Sequence, residues 1–430
     1  MLRWMFLDMN SFFASCEQLD DPSLRGRPVG VCPVLAGGSG AVIAASYEAK
    51  ALGVGMGCRA GEARALCPDI ALRKARPARY MEIHTAVAAA IDKHIEITKR
   101  YSIDEWSMRL MGKEHDPAVA TELARRVKAQ IADEFEGALP CSVGIAPSRL
   151  LAKTACELRK PDGLTVLDVD VLPSALAGMV PRDIPGIGPG MEKRLLNAGV
   201  NSIEGLWALS EQDCRRIWGS VNGAHFWMGL HGEDPVEPKT RTQSMSHAHV
   251  LPPKYRNDED AHAIMVRLIC KLGTRLRQGN FAAHRLRVSA VLLPKDQPNV
   301  SYHHGPAWSD ECPLPGTLET LTILRAFETL WQRRPCTFEV GGFTPRKVAV
   351  DLGELLPMTA TTANLFLPEA APRTLSDALD TINLKFGPHT VHPAAMHAIH
   401  DYEMENKIAF GRMPEFDLVM CGGGELQDKV

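Results

Sequence analysis

The sequence predicts an α+β multidomain protein, and three observations carry that prediction. Over the first 166 residues, candidate strands and helices follow the order β-α-β-β-α-β, that of a split, ferredoxin-like βαβ sheet. From residue 171 to 235 the pattern turns all-helical, with Ile184-Pro185-Gly186-Ile187-Gly188-Pro189-Gly190 joining two short helices as in a helix-hairpin-helix. A polar stretch, residues 237–244, then leads into a second α+β segment. At 430 residues the chain exceeds what one hydrophobic core supports, so several domains are expected.

The first strand, residues 4–8, is the apolar run Trp4-Met5-Phe6-Leu7 closed by Asp8, too short for a signal sequence or a membrane span. Asn10 and Ser11 are N-cap residue types, and Phe12, Phe13 and Cys16 recur at helical spacing, so a helix starts near residue 11. Residues 30–35 and 41–44 read as a hairpin around Gly37-Gly38-Ser39-Gly40, followed by a helix over 47–51. A helix at 80–94 precedes a hairpin-like pair, 95–99 and 101–110, that carries Asp104-Glu105. Next come a helix over 118–134, a strand over 140–145, and a helix over 148–158 that stops before Lys160-Pro161-Asp162-Gly163. The second α+β segment reads as a helix over 260–278 with strands at 286–293 and 347–352. Beyond it lie turns, one helix near 374–386 and a Gly-rich end.

Composition narrows the function. Apolar residues at 45% and charged residues at 23% fit a folded globular chain and exclude a fibrous or disordered one. Eleven cysteines without a Cys-x-x-Cys pair argue against a disulfide framework or a structural zinc site, and a reducing cytoplasm is expected. The net charge of −3 means that any nucleic-acid surface must be local. Residues 241–295 hold ten Lys or Arg against three Asp or Glu, whereas 357–430 hold five against ten.

Asp8 at a strand end and Asp104-Glu105 in a neighbouring hairpin converge at one sheet edge if the strand order is as read. Three carboxylates so placed repel one another unless cations lie between them, and hard oxygen donors suit Mg²⁺. A pair of such ions clamps the attacking and leaving oxygens of a phosphoryl displacement. The alternative is an N-capping Asp8 and a solvated Asp-Glu turn.

Several stretches decide between them. Leu7-Asp8-Met9-Asn10-Ser11-Phe12-Phe13-Ala14-Ser15-Cys16-Glu17, Ala45-Ser46-Tyr47-Glu48-Ala49-Lys50, Tyr101-Ser102-Ile103-Asp104-Glu105 and Ser142-Val143-Gly144-Ile145-Ala146 resemble, in order and spacing, the Y-family translesion DNA polymerases. The likeness continues through Leu151-Ala152-Lys153, Arg159-Lys160-Pro161-Asp162-Gly163 and the Pro-Gly-Ile-Gly turn. It implies a ferredoxin-like palm with small fingers, a helical thumb carrying the helix-hairpin-helix, and an α+β little finger. Residues 1–11 are then the first palm strand, 12–76 fingers, 77–166 palm, 167–236 thumb, 237–244 linker, 245–355 little finger and 356–430 a tail.

The resemblance implies a template-directed DNA polymerase that adds dNTPs to a primer in damage bypass, error-prone repair and the SOS response. Two Mg²⁺ ions would be held by Asp8, Asp104 and Glu105 and the carbonyl of Met9. Phe13 matches the steric gate, whose ring excludes a 2′-hydroxyl; by periodicity alone it is equally a core Phe. Tyr47, Lys50 and Lys160 match the triphosphate contacts, against a default of surface lysines. Many relatives carry Arg at the Lys50 position, and a small residue where Trp106 stands; a bulky indole there should point away from Glu105. Gly186 and Gly188 would let backbone N–H groups approach DNA phosphates. Arg267, Lys271, Arg275 and Arg277 would track the template strand, with about half of the basic residues in this segment merely solvated.

The tail, through Ala363-Asn364-Leu365-Phe366, Ala371-Pro372-Arg373 and Leu379-Asp380-Thr381-Ile382-Asn383-Leu384-Lys385-Phe386-Gly387, resembles the UmuC branch more than the DinB branch. Relatives insert a Gln-Leu-Asn-Leu-Phe type segment into a sliding clamp, so Asn364, Leu365 and Phe366 are the clamp-binding candidates, with Thr362 in place of the leading Gln. A UmuD-like accessory protein is a further candidate partner, and no membrane is expected. His392, His397 and His400 read as surface histidines rather than a metal site. A catalytically silent DNA-binding relative would be expected to lose a metal carboxylate, and a palm-fold nucleotidyl cyclase would need no helix-hairpin-helix.

Overall fold

The computed structural model describes residues 1–33, 40–235, 241–295, 307–334, 338, 340–360, 371–387 and 389–399. The chain forms two compact units, Met1–Glu237 and Pro238–Glu405.

The first unit is built on a five-stranded sheet in which β1 (Trp4–Met9) is central and buried at every position. A helix α1 (Phe12–Asp20) follows it directly. Then come the elements of a small subdomain: β2 (Val29–Cys32), β3 (Ala44–Ala45), α2 (Tyr47–Ala51), α3 (Ala60–Leu66) and β4 (Ala71–Lys74), whose strands form their own sheet in the order β3-β2-β4. The chain returns to the main sheet through α4 (Pro77–Asp92), β5 (Ile97–Arg100), β6 (Glu105–Arg109), α5 (Pro117–Glu134), β7 (Cys141–Ala146), α6 (Arg149–Leu158) and β8 (Leu164–Val166). The main sheet runs β5-β6-β1-β7-β8, with β1 antiparallel to both neighbours and β8 parallel to β7.

Period-two alternation sorts β1 onto two cores. Met5, Leu7 and Met9 join Trp106, Met108 and the apolar sides of α4 and α5, whereas Trp4 and Phe6 join α6 and the helical segment that follows. Both faces are covered, which is why the strand reads as a continuous apolar run. Helix α6 lies so close to β7 that a Cβ on Gly144 would meet the carbonyl of Ala152 at 2.0 Å, so only glycine fits there. Four helices complete the unit: α7 (Pro189–Asn197), α8 (Ile203–Trp207), α9 (Glu211–Trp218) and α10 (Asn222–Leu230).

The second unit is a four-stranded antiparallel sheet, in the order β11-β10-β12-β9, built from β9 (Ser244–Val250), β10 (Phe281–Pro294), β11 (Ala307–Thr317) and β12 (Phe343–Gly353). Helices α11 (Asp258–Gln278) and α12 (Thr320–Gln332) cover one face, burying Leu286, Val288, Val348, Val350 and Leu352. A short β13 (Leu356–Pro357) pairs with β10, and α13 (Ala371–Phe386) follows. Asp380 of α13 grips Arg277 of α11 through Nε at 2.6 Å and Nη2 at 2.9 Å.

Most elements expected in the first unit are present within a few residues of their anticipated ends. The structure adds β4 and β8, short parallel strands with no alternation of their own. It also adds β9, whose start falls in the expected linker, and β11 and α12. The hairpin expected over 30–44 is reduced to Gly30 opposite Ala45 and Val31 opposite Ala44, with 34–39 outside the described residues. Ser11 is the N-cap residue of α1 but makes no side-chain cap hydrogen bond; it sits at φ 51, and its hydroxyl accepts from Lys50 instead.

Candidate active site

The sheet register brings the carboxylates together. Asp8 lies directly opposite Glu105 on β6 and opposite Ser142 on β7. Their side chains share the face of the sheet that carries Phe6 and receives α6, since Leu7 and Trp106 take the other face. Asp104 comes from the turn leading into β6, and its carbonyl accepts the Met9 N–H at 2.9 Å. Behind them, Asn10 donates to Ser142 Oγ at 3.1 Å and accepts from the Asp162 N–H at 2.7 Å, which fixes the turn bearing Lys160.

Each carboxylate has its own partner. Lys160 Nζ lies 2.9 Å from Asp8 Oδ1 and 2.9 Å from Glu157. Lys153 of α6 pairs with Glu105, and the Ser102 hydroxyl donates to Asp104. Among the described residues no three acidic, His or Cys side chains close into a ready-made metal cage.

The electrostatics show what the lysines leave unbalanced. Burial pushes the Asp8 carboxyl up to about 7 despite the opposing pull of Lys160, and the charge of Asp104 adds to the rise. Asp104 is raised too, chiefly by burial, with the Ser102 hydrogen bond opposing. For Lys160, burial works against the charge, yet Asp8 and Glu157 outweigh it and hold the amine well above its ordinary range. An oxygen-only donor set with surplus negative charge, backed by a backbone that already aligns it, fits a hard divalent cation.

Tyr47 and Lys50 stand beside the same carboxylate. Lys50 Nζ lies 4.3 Å from the Tyr47 ring centroid and donates to Ser11 Oγ at 2.8 Å. Desolvation and then the charge of Lys160 draw the Lys50 amine downward. Desolvation raises the Tyr47 phenol, which also feels Lys160 and Asp8. Two cations and a hydroxyl gathered next to a carboxylate form an anion-receiving rim.

Phe13 is buried on α1, with its ring stacked on Tyr80 of α4 at 4.5 Å and 13°. The Tyr80 hydroxyl donates to Glu17 at 2.7 Å, and Arg76 Nε donates to the same carboxylate at 2.9 Å. Tyr80 is thereby fixed against the Phe13 ring. Tyr80, Lys153 and Ser102 were not assigned roles from the sequence. Lys153 and Ser102 lie inside the quoted motifs, while Tyr80 carries no signal beyond its helix.

The helix-hairpin-helix glycines hold distinct jobs. Gly186 adopts φ +93, which a side chain would strain, and Gly188 is the N-cap of α7, with open space around both.

The four cations expected to follow DNA lie on α11. None of Arg267, Lys271, Arg275 or Arg277 is exposed. Arg277 is spent internally on Asp380, Leu318 and Thr320, and burial lowers the Lys271 amine to about 8, with Arg267 adding to the shift. The face of the sheet opposite the helices carries Arg287, whose register partners are Glu311 and Asp351, together with Lys347, Ser246, Ala248, Ser289, Ser309 and Ala349. Alternation in β10, Arg285-Leu286-Arg287-Val288-Ser289, is the sequence signal for that face. Thr362, Asn364, Leu365 and Phe366 lie outside the described residues, as does His400. His392 Nδ1 bonds the His389 carbonyl at 2.9 Å.

Residues 7–157 match the impB/mucB/samB family and residues 242–365 its C-terminal domain. DNA polymerase IV of Moorella thermoacetica is 32% identical over 91% of this chain and 95% of its own length. The chain belongs to the Y family of DNA polymerases. DNA polymerase IV of Pelotomaculum thermopropionicum is 32% identical over 90% of the chain and 93% of its own length. Among solved structures, a chimeric Y-family polymerase, Dbh-Dpo4-Dbh, superposes with a TM-score of 0.64 at 24% identity, covering 83% of this chain and 99% of the other, a likeness of fold. The two units thus correspond to a Y-family fold of palm, fingers, thumb and little finger, and the chain is a DNA-directed DNA polymerase of the translesion type. The relatives named here bear the DNA polymerase IV name; of the UmuC-like stretches of the tail, residues 363–366 lie outside the described residues, whereas 371–373 and 379–386 belong to α13. No described helix is long and apolar enough to cross a membrane.

Proposed function

We propose that this polymerase adds deoxynucleotides to a primer end at the site formed by Asp8, Asp104 and Glu105, which with the Met9 carbonyl would hold two Mg²⁺ ions. The observation that carries the assignment is Asp8 opposite Glu105 on adjacent central strands, beside Asp104, with burial driving Asp8 up to about 7. Bound there, the ions supply charge that stabilises the attacking and leaving oxygens of phosphoryl transfer.

The chain's own residues do the rest. Lys160, Lys50 and Tyr47 receive the triphosphate and offset charge developing on the leaving pyrophosphate. Lys153 and Lys160 balance Glu105 and Asp8 until cations replace them. Phe13, backed by Tyr80, occupies the space a 2′-hydroxyl would need and selects deoxynucleotides. The helix-hairpin-helix turn at Gly186 and Gly188 presents backbone N–H groups to a phosphate. Primer-template DNA is further held by basic residues of the little finger, Arg287 and Lys347 among them beside the α11 cations.

Asp104→Asn should lower primer extension by about a thousandfold or more while primer-template affinity stays unchanged, because the ions act on the barrier and the basic groups on binding. Wild-type extension by that variant would remove the assignment. All three carboxylates are retained, so nothing favours a catalytically silent protein.

We further assign Asn364, Leu365 and Phe366 to a sliding clamp, on the UmuC-like context of the sequence, and propose a cytoplasmic location and a UmuD-like accessory protein as candidate partner. Replacing Leu365 and Phe366 by Ala should lower clamp-stimulated synthesis about tenfold and leave synthesis on a bare primer intact. An equal fall in both activities would assign the pair to packing.

A further inference from the structure

Trp106 departs from the small residue that Y-family chains usually carry after Asp-Glu. Its indole is fully buried and lies nearly parallel to the imidazole of His84, with ring centroids 4.9 Å apart and planes at 17°. His84 stands on α4, one turn beyond Tyr80, and is itself fully buried. Its Nδ1 lies 2.6 Å from the carbonyl oxygen of Ile103. A carbonyl only accepts, so the proton of a neutral His84 sits on Nδ1.

Ile103 immediately precedes Asp104. Residues 102–104 form bends rather than strand and lie outside the sheet ladder. The Tyr101 N–H reaches the Glu105 carbonyl at 2.9 Å, and two further anchors hold the turn: the Ile103 carbonyl to His84 and the Asp104 carbonyl to the Met9 N–H at 2.9 Å. Those two anchors bracket the Asp104 carboxylate. Nε2 of His84 and Nε1 of Trp106 have no hydrogen-bond partner among the described residues. Two unmatched buried polar atoms weaken a core, and an apolar pair would fold more stably. The cost points to a role in the site.

We propose that His84, oriented by its stack on Trp106, is a positioning residue that sets the Ile103–Asp104 turn and thereby the metal affinity and catalytic rate of the polymerase site. The inference rests on the reading of Asp104 as a metal ligand. It makes Trp106 a working part of the site rather than filler, because the indole fixes the ring whose N–H holds the turn.

The test uses the full-length protein. His84→Asn keeps a donor near the Nδ1 position, His84→Leu keeps bulk without a donor, and Trp106→Leu removes the stack. Three quantities are measured: the half-saturating Mg²⁺ concentration for single-nucleotide insertion, Mn²⁺ binding by electron paramagnetic resonance without nucleotide, and primer-template affinity. His84→Leu should raise the Mg²⁺ requirement and weaken Mn²⁺ binding about tenfold, with DNA affinity unchanged. His84→Asn should recover to within about twofold of wild type. The double variant His84→Leu/Trp106→Leu should be no worse than His84→Leu, since the stack acts through the imidazole.

Equal metal responses in His84→Leu, His84→Asn and wild type would overturn the proposal, as would additive effects. Should the Leu variants fail to fold, nitrogen NMR of the wild-type protein decides: a neutral Nδ1–H tautomer at His84 supports the proposal and an Nε2–H tautomer overturns it. Asp104→Asn separates the two readings. If that variant keeps extension and Mn²⁺ binding, the metal site itself is misassigned; if it loses both while His84→Leu behaves as wild type, only this inference fails.

Discussion

Lys160 in the first unit and Arg277 in the second are both basic side chains gripping a carboxylate, yet their pairs differ in kind. Arg277 is almost wholly buried, offers Asp380 both Nε and Nη2, and also bonds the Leu318 carbonyl and Thr320. Lys160 divides one ammonium between Asp8 and Glu157, and Asp8 stays raised to about 7 regardless. The arginine fork satisfies its partner and serves the fold. The lysine only part-neutralises its partner and remains exchangeable for another cation. A basic residue in a sequence motif is therefore a site residue when it leaves its acid wanting charge, and a strut when it does not.

The sharpest way to break this contrast is to remove the strut. Arg277→Ala should cost the second unit about 3–5 kcal/mol by stranding Asp380, without altering how DNA affinity falls with salt. Arg287→Ala, on the sheet face opposite the helices, should leave stability within about 0.5 kcal/mol and reduce the salt slope of DNA binding by about one. Denaturant titrations and fluorescence anisotropy over a salt series read both quantities; the reverse outcome would make Arg277 a DNA contact.

A smaller effect is expected at the gate. Phe13→Ala should raise the ratio of ribonucleotide to deoxynucleotide incorporation about 10- to 200-fold, because only contact with the ring excludes the 2′-hydroxyl. Single-nucleotide insertion opposite one template base measures it, and an unchanged ratio would leave Phe13 as the core residue that its burial and Tyr80 stack also describe.

Legibility in the sequence followed how local the physical cause was. The strand that carries Asp8 was readable because a buried central strand must be apolar throughout, so Asp8 stood out against Trp4-Met5-Phe6-Leu7. The Asp104-Glu105 turn was readable through its motif. Partnerships between distant elements left no such mark: Lys153 with Glu105, Tyr80 under Phe13 and His84 behind Ile103 depend on how α4 and α6 pack on the sheet. In the second unit the basic count drew attention to α11, but charge counts do not say which face is covered. The α13 helix, which supplies Asp380, was visible as a helix and not as the element that claims Arg277. Strand β9 was not expected as a strand, and its first residue, Ser244, was read as linker, because Ser244-Met245-Ser246-His247-Ala248 puts mostly small, polar residues on its open face.

The most direct test of the central claim, that Asp8, Asp104 and Glu105 form a divalent-cation site, is the Mg²⁺-induced rise in melting temperature at two pH values. Asp8 has a carboxyl raised from 3.8 to about 7, so between those values the folded metal-free protein keeps a proton that the unfolded chain has released. Its contribution to stability therefore falls as pH rises through that window. Mg²⁺ takes the place of that proton, so it should stabilise the first unit's transition by several degrees at pH 8 and by clearly less at pH 5.5. Asp8→Asn should abolish both the gain and its pH dependence. Equal stabilisation of wild type and Asp8→Asn by Mg²⁺, or none in either at pH 8, would contradict the account.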